Sequence, residues 1–251
     1  MRIWHDLHGD PGAPLLVLPC SLGTSRELWD PAPYARHFRV LRYEHRGHGE
    51  SDTPPGPYTI EELAGDALAL LDELGVQRAS WIGLSLGGMV AMWIAACAPE
   101  RLERLVLACT SARVPSPQAY AERAGIVREQ GLEPVADAVV SRWFTSAAPA
   151  ALRARFRAIL VATPAEGYAA CCDALADWEF RERLDDVAAP TLVLAGAEDG
   201  STPASDTALL VRRIRGARST VLDGAAHLAN VEQPAAFAEA ALAHLKAAST
   251  E

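Results

Sequence analysis

A serine flanked by two glycines stands in the stretch Gly83-Leu84-Ser85-Leu86-Gly87, which fits the pattern G-x-S-x-G. An apolar segment, ASWIGL, runs into this serine, and a second apolar segment, GGMVAMWIAAC, leaves it. The pattern therefore lies between a predicted strand and a predicted helix, where a sharp turn forces the serine into a strained backbone conformation. Small neighbours such as Gly83 and Gly87 make that turn sterically feasible. We predict that Ser85 is a nucleophile rather than an ordinary helix N-cap.

A serine hydroxyl needs a general base, and only two histidines follow Ser85 in the chain. His244 lies between leucines in a predicted helix, where we expect a solvated side chain. His227 lies in GAAHLANVEQP, a loop between the last predicted strand and the last predicted helix. This position at the end of a strand predicts His227 as the base.

The acid of a Ser-acid-His set should follow a strand and precede the histidine. Asp199 does so in LVLAGAEDG, beside a glycine turn. Its expected role is to accept the ring N–H of His227, fix the tautomer and stabilise the imidazolium. Glu198 and Asp223 are the alternatives that the spacing leaves open, and we favour Asp199.

The triplet SLG occurs twice, at residues 21–23 and 85–87. Two backbone N–H groups are needed to stabilise an oxyanion, one from the residue after the nucleophile and one from a loop that follows an earlier strand. These positions predict the N–H groups of Leu86 and Leu22. Cys20, beside the first triplet, is expected to be a buried thiol rather than a rival nucleophile.

Apolar runs and helical periodicity alternate over most of the chain. The runs predict strands at residues 15–19, 38–43, 79–84, 102–109, 190–196 and 218–223. Helical spacing predicts helices at residues 59–75, 85–99, 204–214 and 234–248, the first opened by a capping pair, Thr59 and Glu62. This alternation is typical of an α/β fold with a mostly parallel sheet and helices on both faces.

Helical periodicity alone fills residues 112–186, with no convincing strand. The segment is too long for a plain loop, so we predict a helical lid inserted after the strand that ends near Cys109. The chain would then divide into an α/β core at residues 1–111 and 187–251 and a lid at residues 112–186. Open α/β sheets bind ligands at the carboxyl ends of their strands, which is where the lid should lie.

The bulk composition excludes several classes of protein. The 251-residue chain has a formal net charge of -9 and a pI of about 5.3, which disfavours nucleic acid and anionic membrane surfaces as partners. No signal peptide or membrane-spanning run is evident, and five cysteines without zinc spacing predict reduced thiols in a cytoplasm. His45 and His48 have no supporting metal ligands nearby in the sequence, and no nucleotide motif is present, so we predict neither metal nor cofactor. The sequence does not fix whether the chain forms a homo-oligomer.

The motifs taken together resemble a known family. The segments that together resemble the 3-oxoadipate enol-lactonases of the α/β-hydrolase superfamily are HRGHGESD, GLSLGGMVAMW, APERLERLVLACTSAR, RWFT, ATPAEGYAACCDAL, GAEDGSTP and AAHLANVEQP. Of these, GLSLGGMVAMW and AAHLANVEQP are shared by many α/β-hydrolases, whereas ATPAEGYAACCDAL, together with SLGTSRELWD and PPGPYTIEEL, is more particular to the lactonases. The likeness covers nearly the whole chain. Two positions depart from the family pattern, since Cys20 stands where Asn is usual and Glu44 where Asp is common. A decarboxylase domain follows in some relatives, and we expect this chain to have a single domain.

This resemblance implies an α/β-hydrolase fold, a Ser-His-Asp triad and the hydrolysis of a small anionic enol-lactone to 3-oxoadipate in aromatic catabolism. The substrate carboxylate needs a cation, for which Arg142 in SRWFT is our candidate, and Trp143 beside it would line the pocket. The alternative for both is an amphipathic lid helix with a solvated arginine. Another α/β-hydrolase activity, such as a carboxylesterase, a C–C bond hydrolase or a perhydrolase, is the nearest alternative function. A hydrolase-fold ligand sensor is a more distant one.

Overall fold

A single seven-stranded sheet forms the centre of the protein, which is described here by a computed structural model of residues 1–247. In chain order the strands are β1 (His5–His8), β2 (Leu15–Pro19), β3 (Arg39–Tyr43), β4 (Ala79–Leu84), β5 (Leu102–Ala108), β6 (Thr191–Gly196) and β7 (Arg218–Leu222). Their order across the sheet is β1-β3-β2-β4-β5-β6-β7. All neighbouring pairs are parallel except β1 with β3. The predicted α/β fold with a mostly parallel sheet is confirmed.

In the described residues, ten α-helices connect and cover these strands. They are α1 (Ala32–Ala35), α2 (Ile60–Glu73), α3 (Leu86–Cys97), α4 (Pro117–Gln130), α5 (Glu133–Trp143), α6 (Ala150–Ala162), α7 (Ala165–Ala176), α8 (Ala204–Arg213), α9 (Ala229–Glu232) and α10 (Pro234–Leu245). Short 3-10 helices lie at Arg26–Leu28, Pro99–Arg101 and Arg181–Asp186. None of these described helices is both long enough and apolar enough to cross a membrane.

The predicted capping pair closes the start of α2. Thr59 Oγ1 accepts the N–H of Glu62 at 3.1 Å, and Glu62 Oε2 accepts the N–H of Thr59 at 2.9 Å. Two of the N–H groups that lack helical partners are thereby satisfied. The last helix, α10, ends at Leu245, before the predicted end at position 248. Position 248 itself lies outside the described residues.

The sheet is buried on both faces, so successive residues of its inner strands belong to two different hydrophobic clusters. Along β2, Leu15 and Val17 pack into the cluster that α2 and α3 cover, whereas Leu16 and Leu18 pack into the cluster that α10 covers. The inner strands β2, β4 and β6 are buried along their whole length. This burial explains why their sequences are nearly continuous apolar runs.

The sequence prediction missed the first strand. β1 has the sequence HDLH, which contains one apolar residue, and all four of its residues are partly exposed. It lies at the edge of the sheet and runs antiparallel to β3, where Asp6 Oδ1 accepts the Nε–H of Arg42 at 3.0 Å. Charged side chains are common on edge strands, and such a strand carries no hydrophobic pattern from which it could be predicted.

The four helices α4 to α7 lie between β5 and β6 in the chain, within the segment predicted as a lid. We call these four helices the cap. Their buried side chains join both sheet clusters, with Cys171 in one and Leu160, Tyr168 and Cys172 in the other. The division into a core and a lid at residues 112–186 stays a prediction, and the last four residues of its core segment 187–251 lie outside the described part of the chain.

Candidate active site

Ser85 occupies a sharp turn between β4 and α3. Its φ of 53° and ψ of -117° put it in the left-handed half of backbone space, which residues other than glycine rarely enter. A Cβ on Gly83 would overlap the carbonyl oxygen of Gly87, and a Cβ on Gly87 would lie 2.8 Å from Pro19 Cγ. The Ser85 N–H donates to Ala108 O at 2.9 Å and so ties the turn to β5. The two glycines thus permit the strained turn that their spacing predicted.

His227 and Asp199 form a buried pair at the neighbouring strand ends. His227 Nδ1 lies 2.9 Å from Asp199 Oδ2, and the two side chains are 8% and 1% exposed. Asp199 Oδ1 also accepts the N–H groups of Ser201 at 2.8 Å and Thr202 at 3.1 Å, and the Thr202 hydroxyl donates to Oδ2. The carboxylate is therefore fully satisfied by donors.

The protonation of the pair follows from these contacts. Burial raises the pKa of the Asp199 carboxyl, but His227, the Thr202 hydroxyl and the Ser201 N–H outweigh burial and leave that pKa below its usual value. An ionised Asp199 can only accept, so His227 carries its proton on Nδ1. Nε2 is then free to accept a proton, which is the tautomer that a general base requires.

The two alternative acids take no part in this pair. Glu198 and Asp223 are both exposed, and neither bonds to His227 within the described residues. The other histidine, His244, is not the solvated residue that its helical pattern suggested. It is half-buried, and its Nε2 lies 3.1 Å from Pro190 O, which ties α10 to the start of β6.

Ser85 and His227 line one cavity beneath the cap. Three of the residues predicted to bind there line it as well, namely Leu22, Arg142 and Trp143. Within the described chain, no hydrogen bond joins Ser85 Oγ to His227 Nε2. Such a bond is often long or absent before substrate binds, so the shared cavity is the informative observation.

Sequence reasoning missed three large polar residues of the cavity. Tyr120 and Arg123 come from α4, and Tyr168 comes from α7. Tyr120 and Arg123 are three positions apart, which places them on the same side of a helix. Nothing in the sequence indicated that this side would face Ser85.

The loop after β2 is held by side chains on both sides of Leu22. The N–H of Ser21 donates to Thr24 Oγ1 at 2.7 Å, and the N–H of Gly23 donates to His48 Nε2 at 2.9 Å. His48 Nδ1 lies 3.3 Å from Arg46 O, and burial lowers the pKa of His48 to about 4. His48 is therefore neutral, with its proton on Nδ1 and an acceptor at Nε2.

The two N–H groups predicted for the oxyanion are both available to a ligand. Within residues 1–247, neither the Leu22 N–H nor the Leu86 N–H donates to another group of the protein. Leu86 opens α3, so its N–H has no partner one turn earlier in a helix. The side chain of Leu86 is buried, and that of Leu22 is partly buried beside the cavity.

The thiol of Cys20 is buried and unreactive. It accepts the N–H of His45 at 3.3 Å, and burial raises its pKa far above the ordinary value for a thiol. A protonated, buried thiol is a poor nucleophile. All five cysteines are free, including the adjacent Cys171 and Cys172.

The two histidines of the HRGHG loop show no sign of metal binding. Burial lowers the pKa of His45 to about 3, and its ring packs edge-on against Tyr43 at 5.1 Å between centroids. The nitrogens of His48 face Gly23 and Arg46, as described above. Among the described residues, no three or more His, Cys, Asp or Glu side chains are grouped so that they could hold a metal ion.

The parallel sheet, the strained serine turn and the buried acid–histidine pair agree with a comparison to known families. The chain belongs to the alpha/beta hydrolase fold family, whose profile matches residues 13–234. It is 40% identical to 3-oxoadipate enol-lactonase 2 of Acinetobacter baylyi over 244 residues, which cover 95% of this chain and 91% of that protein.

Solved structures give the same result. The enol-lactonase from Burkholderia xenovorans LB400 superimposes with a TM-score of 0.95 at 38% identity, covering 98% of this chain and 96% of its own. A hydrolase from Pseudomonas aeruginosa PA01 gives a TM-score of 0.93 at 44% identity, covering 98% of this chain and 94% of its own. The predicted resemblance to enol-lactonases and the predicted class of enzyme, a carboxylic ester hydrolase, are confirmed.

Proposed function

We propose that this protein hydrolyses 3-oxoadipate enol-lactone to 3-oxoadipate, a step of the beta-ketoadipate pathway of aromatic catabolism. The observation that carries the proposal is the cavity, in which Ser85 and the Asp199-paired His227 lie beside arginine side chains of the cap. The relatives named as enol-lactonases support the same substrate. No cofactor enters the reaction that we propose.

The proposed reaction begins with attack of Ser85 Oγ on the lactone carbonyl, while His227 Nε2 takes the hydroxyl proton. Negative charge then develops on the carbonyl oxygen, and the N–H groups of Leu22 and Leu86 would stabilise it. Asp199, at 2.9 Å from His227 Nδ1, stabilises the imidazolium that forms in this step.

Collapse of the tetrahedral intermediate breaks the ring C–O bond. The leaving oxygen is that of an enol, which is a better leaving group than an alkoxide and takes the proton from His227. The enol tautomerises to a ketone, which draws the reaction forward. Because the leaving group remains on the same carbon chain, the acyl-enzyme carries the whole substrate. Water, activated by His227, then releases 3-oxoadipate and restores Ser85.

The cap would bind the rest of the substrate. Trp143 is buried in the cavity wall, with its ring centroid 6.4 Å from that of Phe156, and offers an apolar surface to the lactone ring. Arg142 is exposed and also lines a groove outside the cavity. We propose that Arg142 attracts the anionic lactone at the mouth.

The cap and the loop that carries His227 are joined by direct hydrogen bonds, which would hold a bound substrate in a fixed position relative to His227. The N–H of Leu228 donates to Trp143 O at 2.9 Å. Glu232 accepts the Ala226 N–H at 2.7 Å through Oε2 and the Thr145 N–H at 2.9 Å through Oε1. The end of α5 is therefore tied to the loop that carries the general base.

Steady-state kinetics on three substrates test the proposal. The purified protein is assayed with freshly generated enol-lactone, with p-nitrophenyl acetate and with a C–C hydrolase substrate. We expect multiple turnovers and the highest kcat/KM on the lactone. Ester activity that exceeds lactone activity would refute the assignment. A single turnover with a large ligand-induced rise in Tm would instead indicate a sensor.

A further inference from the structure

One arginine of the cavity has a charge that no carboxylate neutralises. Arg123 lies on α4, is half-buried, and lines the same cavity as Ser85 and His227. In the described part of the chain it makes no ion pair. Arg128, five residues further along α4, pairs with Glu166 at 3.0 Å and Asp173 at 2.6 Å. The same helix thus has one neutralised arginine outside the cavity and one uncompensated arginine inside it.

Two tyrosines hold Arg123 in place instead of acids. Its Nη1 donates to Tyr168 Oη at 3.5 Å, and its guanidinium lies 4.8 Å from the ring centroid of Tyr120. These contacts fix the plane of the guanidinium and use only one of its five N–H donors. A partly buried cation with free donors is costly unless an anion completes it, so its geometry favours an anionic ligand.

Tyr168 can add a further donor at the same place. Burial raises the pKa of Tyr168, so its phenol keeps its proton. The Oη accepts from Arg123, and its O–H, which lies beside the buried Cys172 thiol, can turn to donate to a carboxylate that Arg123 binds. Tyr168 also packs against the loop after β2, since a Cβ on Gly23 would lie 2.9 Å from Tyr168 Cε2. Arg123, Tyr168 and the predicted oxyanion loop are therefore parts of one connected wall.

Arg142 also lines the cavity and makes no ion pair in the described chain, but it differs from Arg123 in burial and in how its side chain is held. It is exposed, no hydrogen bond fixes it in the described chain, and it lies beside Arg123 in the groove outside the cavity. A solvated arginine attracts anions but binds a carboxylate weakly, whereas a partly buried and oriented one binds it strongly. The two arginines therefore suit different tasks.

We propose that Arg123 and Tyr168 form a subsite for a carboxylate on the acyl chain of the substrate, and that Arg123 is the residue that selects anionic acyl groups. This inference rests on the proposed function, because the acyl chain formed from the enol-lactone ends in a carboxylate. The chemistry recognised is general, however, and extends to any ester whose acyl chain carries a terminal carboxylate at matching length.

A matched pair of esters measures the selection directly. Mono-p-nitrophenyl adipate has a six-carbon acyl chain with a free carboxylate, and methyl p-nitrophenyl adipate has the same chain with the charge removed. The wild type should hydrolyse the anionic ester with a kcat/KM at least tenfold above that of the neutral ester. Arg123→Gln should lower kcat/KM for the anionic ester by roughly 10- to 100-fold, as expected for the loss of charged hydrogen bonds. Its kcat/KM for the neutral ester should stay within about threefold.

Four companion variants identify the residue responsible. Arg123→Lys keeps the charge without the planar fork and should retain part of the preference. Tyr168→Phe should lower the preference less than Arg123→Gln does. Arg142→Gln removes the exposed cation at the mouth and should lower the preference less than Arg123→Gln does. The matched control is Arg128→Gln, which changes an arginine of the same helix outside the cavity and should keep the preference for the anionic ester. Activity on the neutral ester shows that each variant is folded, and if Arg123→Gln does not fold, Arg123→Lys and Arg142→Gln decide.

An unchanged anionic-to-neutral ratio in Arg123→Gln would overturn the proposal, as would loss of that ratio in Arg142→Gln alone. The proposed function fails separately. If the wild type prefers the anionic ester through Arg123 but does not open the enol-lactone, the subsite stands and the lactone assignment falls. If the lactone is hydrolysed as fast by Arg123→Gln as by the wild type, the assignment stands and the subsite falls.

Discussion

Replacement of Asp199 by asparagine is the change that the hydrogen bonds of the site predict in most detail. Asp199 Oδ1 accepts two backbone N–H groups, from Ser201 and Thr202, which cannot rotate away. In Asp199→Asn the amide oxygen must therefore take the place of Oδ1, and the NH2 group must take the place of Oδ2. That NH2 group points at His227 Nδ1.

A donor at this place reverses the tautomer of the histidine. His227 Nδ1 would have to accept from the amide, so its proton would move to Nε2, and Nε2 could no longer take the proton of Ser85. The variant also lacks the negative charge that stabilises the imidazolium. Loss of the same control in a serine protease lowers kcat by about 10⁴-fold. At about 1.4 kcal/mol per tenfold, this corresponds to roughly 5.5 kcal/mol of transition-state stabilisation.

The assay compares kcat on the lactone for Asp199→Asn with kcat for two matched controls. Glu198→Gln alters the adjacent acid, and Asp223→Asn alters the exposed acid nearest to His227 in the sequence. Both controls should stay within about twofold of the wild type. Nitrogen NMR of the imidazole should show the proton on Nδ1 in the wild type and on Nε2 in Asp199→Asn. A kcat for Asp199→Asn within tenfold of the wild type, or an equal loss in either control, would refute the reasoning.

The serine turn, the loop at residues 21–24 and the buried histidines each give a further expectation. Gly83→Ala would press a Cβ against a carbonyl oxygen at the start of α3, so urea unfolding should show a free energy of unfolding that is lower by about 1–3 kcal/mol. Gly125→Ala, in open space on α4, is the control and should lose no stability. Equal losses in the two variants would contradict the packing at Gly83. His48→Leu removes the acceptor of the Gly23 N–H and should lower kcat roughly 10- to 100-fold. In His48→Gln the amide oxygen can accept the same N–H, so this variant should recover most of kcat. Equal kcat values in the two variants would argue against a role of His48 in holding the loop. Burial lowers the pKa of His45 to about 3 and that of His48 to about 4, below the value of 6.5 expected in the unfolded chain. On acidification the unfolded chain therefore binds a proton at each histidine before the folded chain does. The stability that is present above about pH 6.5 is lost as the pH falls toward 4. Between pH 7 and pH 5 the free energy of unfolding should fall by roughly 2 kcal/mol for each histidine. In His45→Phe the part of this fall that comes from His45 should be absent. An identical pH dependence in the variant and the wild type would show that His45 does not contribute to it.

The sequence predicts the inner part of this fold well because burial leaves a clear pattern. β2 and β4 are found at the predicted residues, since both are buried on two faces and every position must be apolar or small. The turn at Ser85 was predictable for a steric reason, as Gly83 and Gly87 are the residues that its geometry requires. β1 lacks any such pattern, because an edge strand can satisfy its side chains with water and with ion pairs.

The choice among neighbouring acids could not be made from spacing alone. Glu198 and Asp199 are adjacent in the sequence. The turn that follows β6 buries Asp199 against His227 and leaves Glu198 facing solvent. The contact between His48 and Gly23 joins residues 25 positions apart and depends on how two loops pack. Neither loop has a repeating pattern that could have indicated this contact.

The cap was the least predictable part of the site. Helical spacing indicates that a segment is a helix, but the side that faces the sheet depends on how four helices pack together. Arg142 was predicted because the planar fork of an arginine in the lid suits a carboxylate, whereas the half-buried Arg123 gave no signal. The cytoplasmic location stays a prediction, and the sequence did not fix the oligomeric state.

Mass spectrometry of the acyl-enzyme tests the central claim most directly. The protein is mixed with the enol-lactone, quenched rapidly with acid and analysed as intact protein and as peptides. The account predicts an adduct with the mass of the whole lactone on the peptide that contains Ser85, because ring opening releases no fragment. Ser85→Ala should show neither the adduct nor lactone turnover. An adduct on another residue, or lactone turnover by Ser85→Ala at the rate of the wild type, would contradict the account.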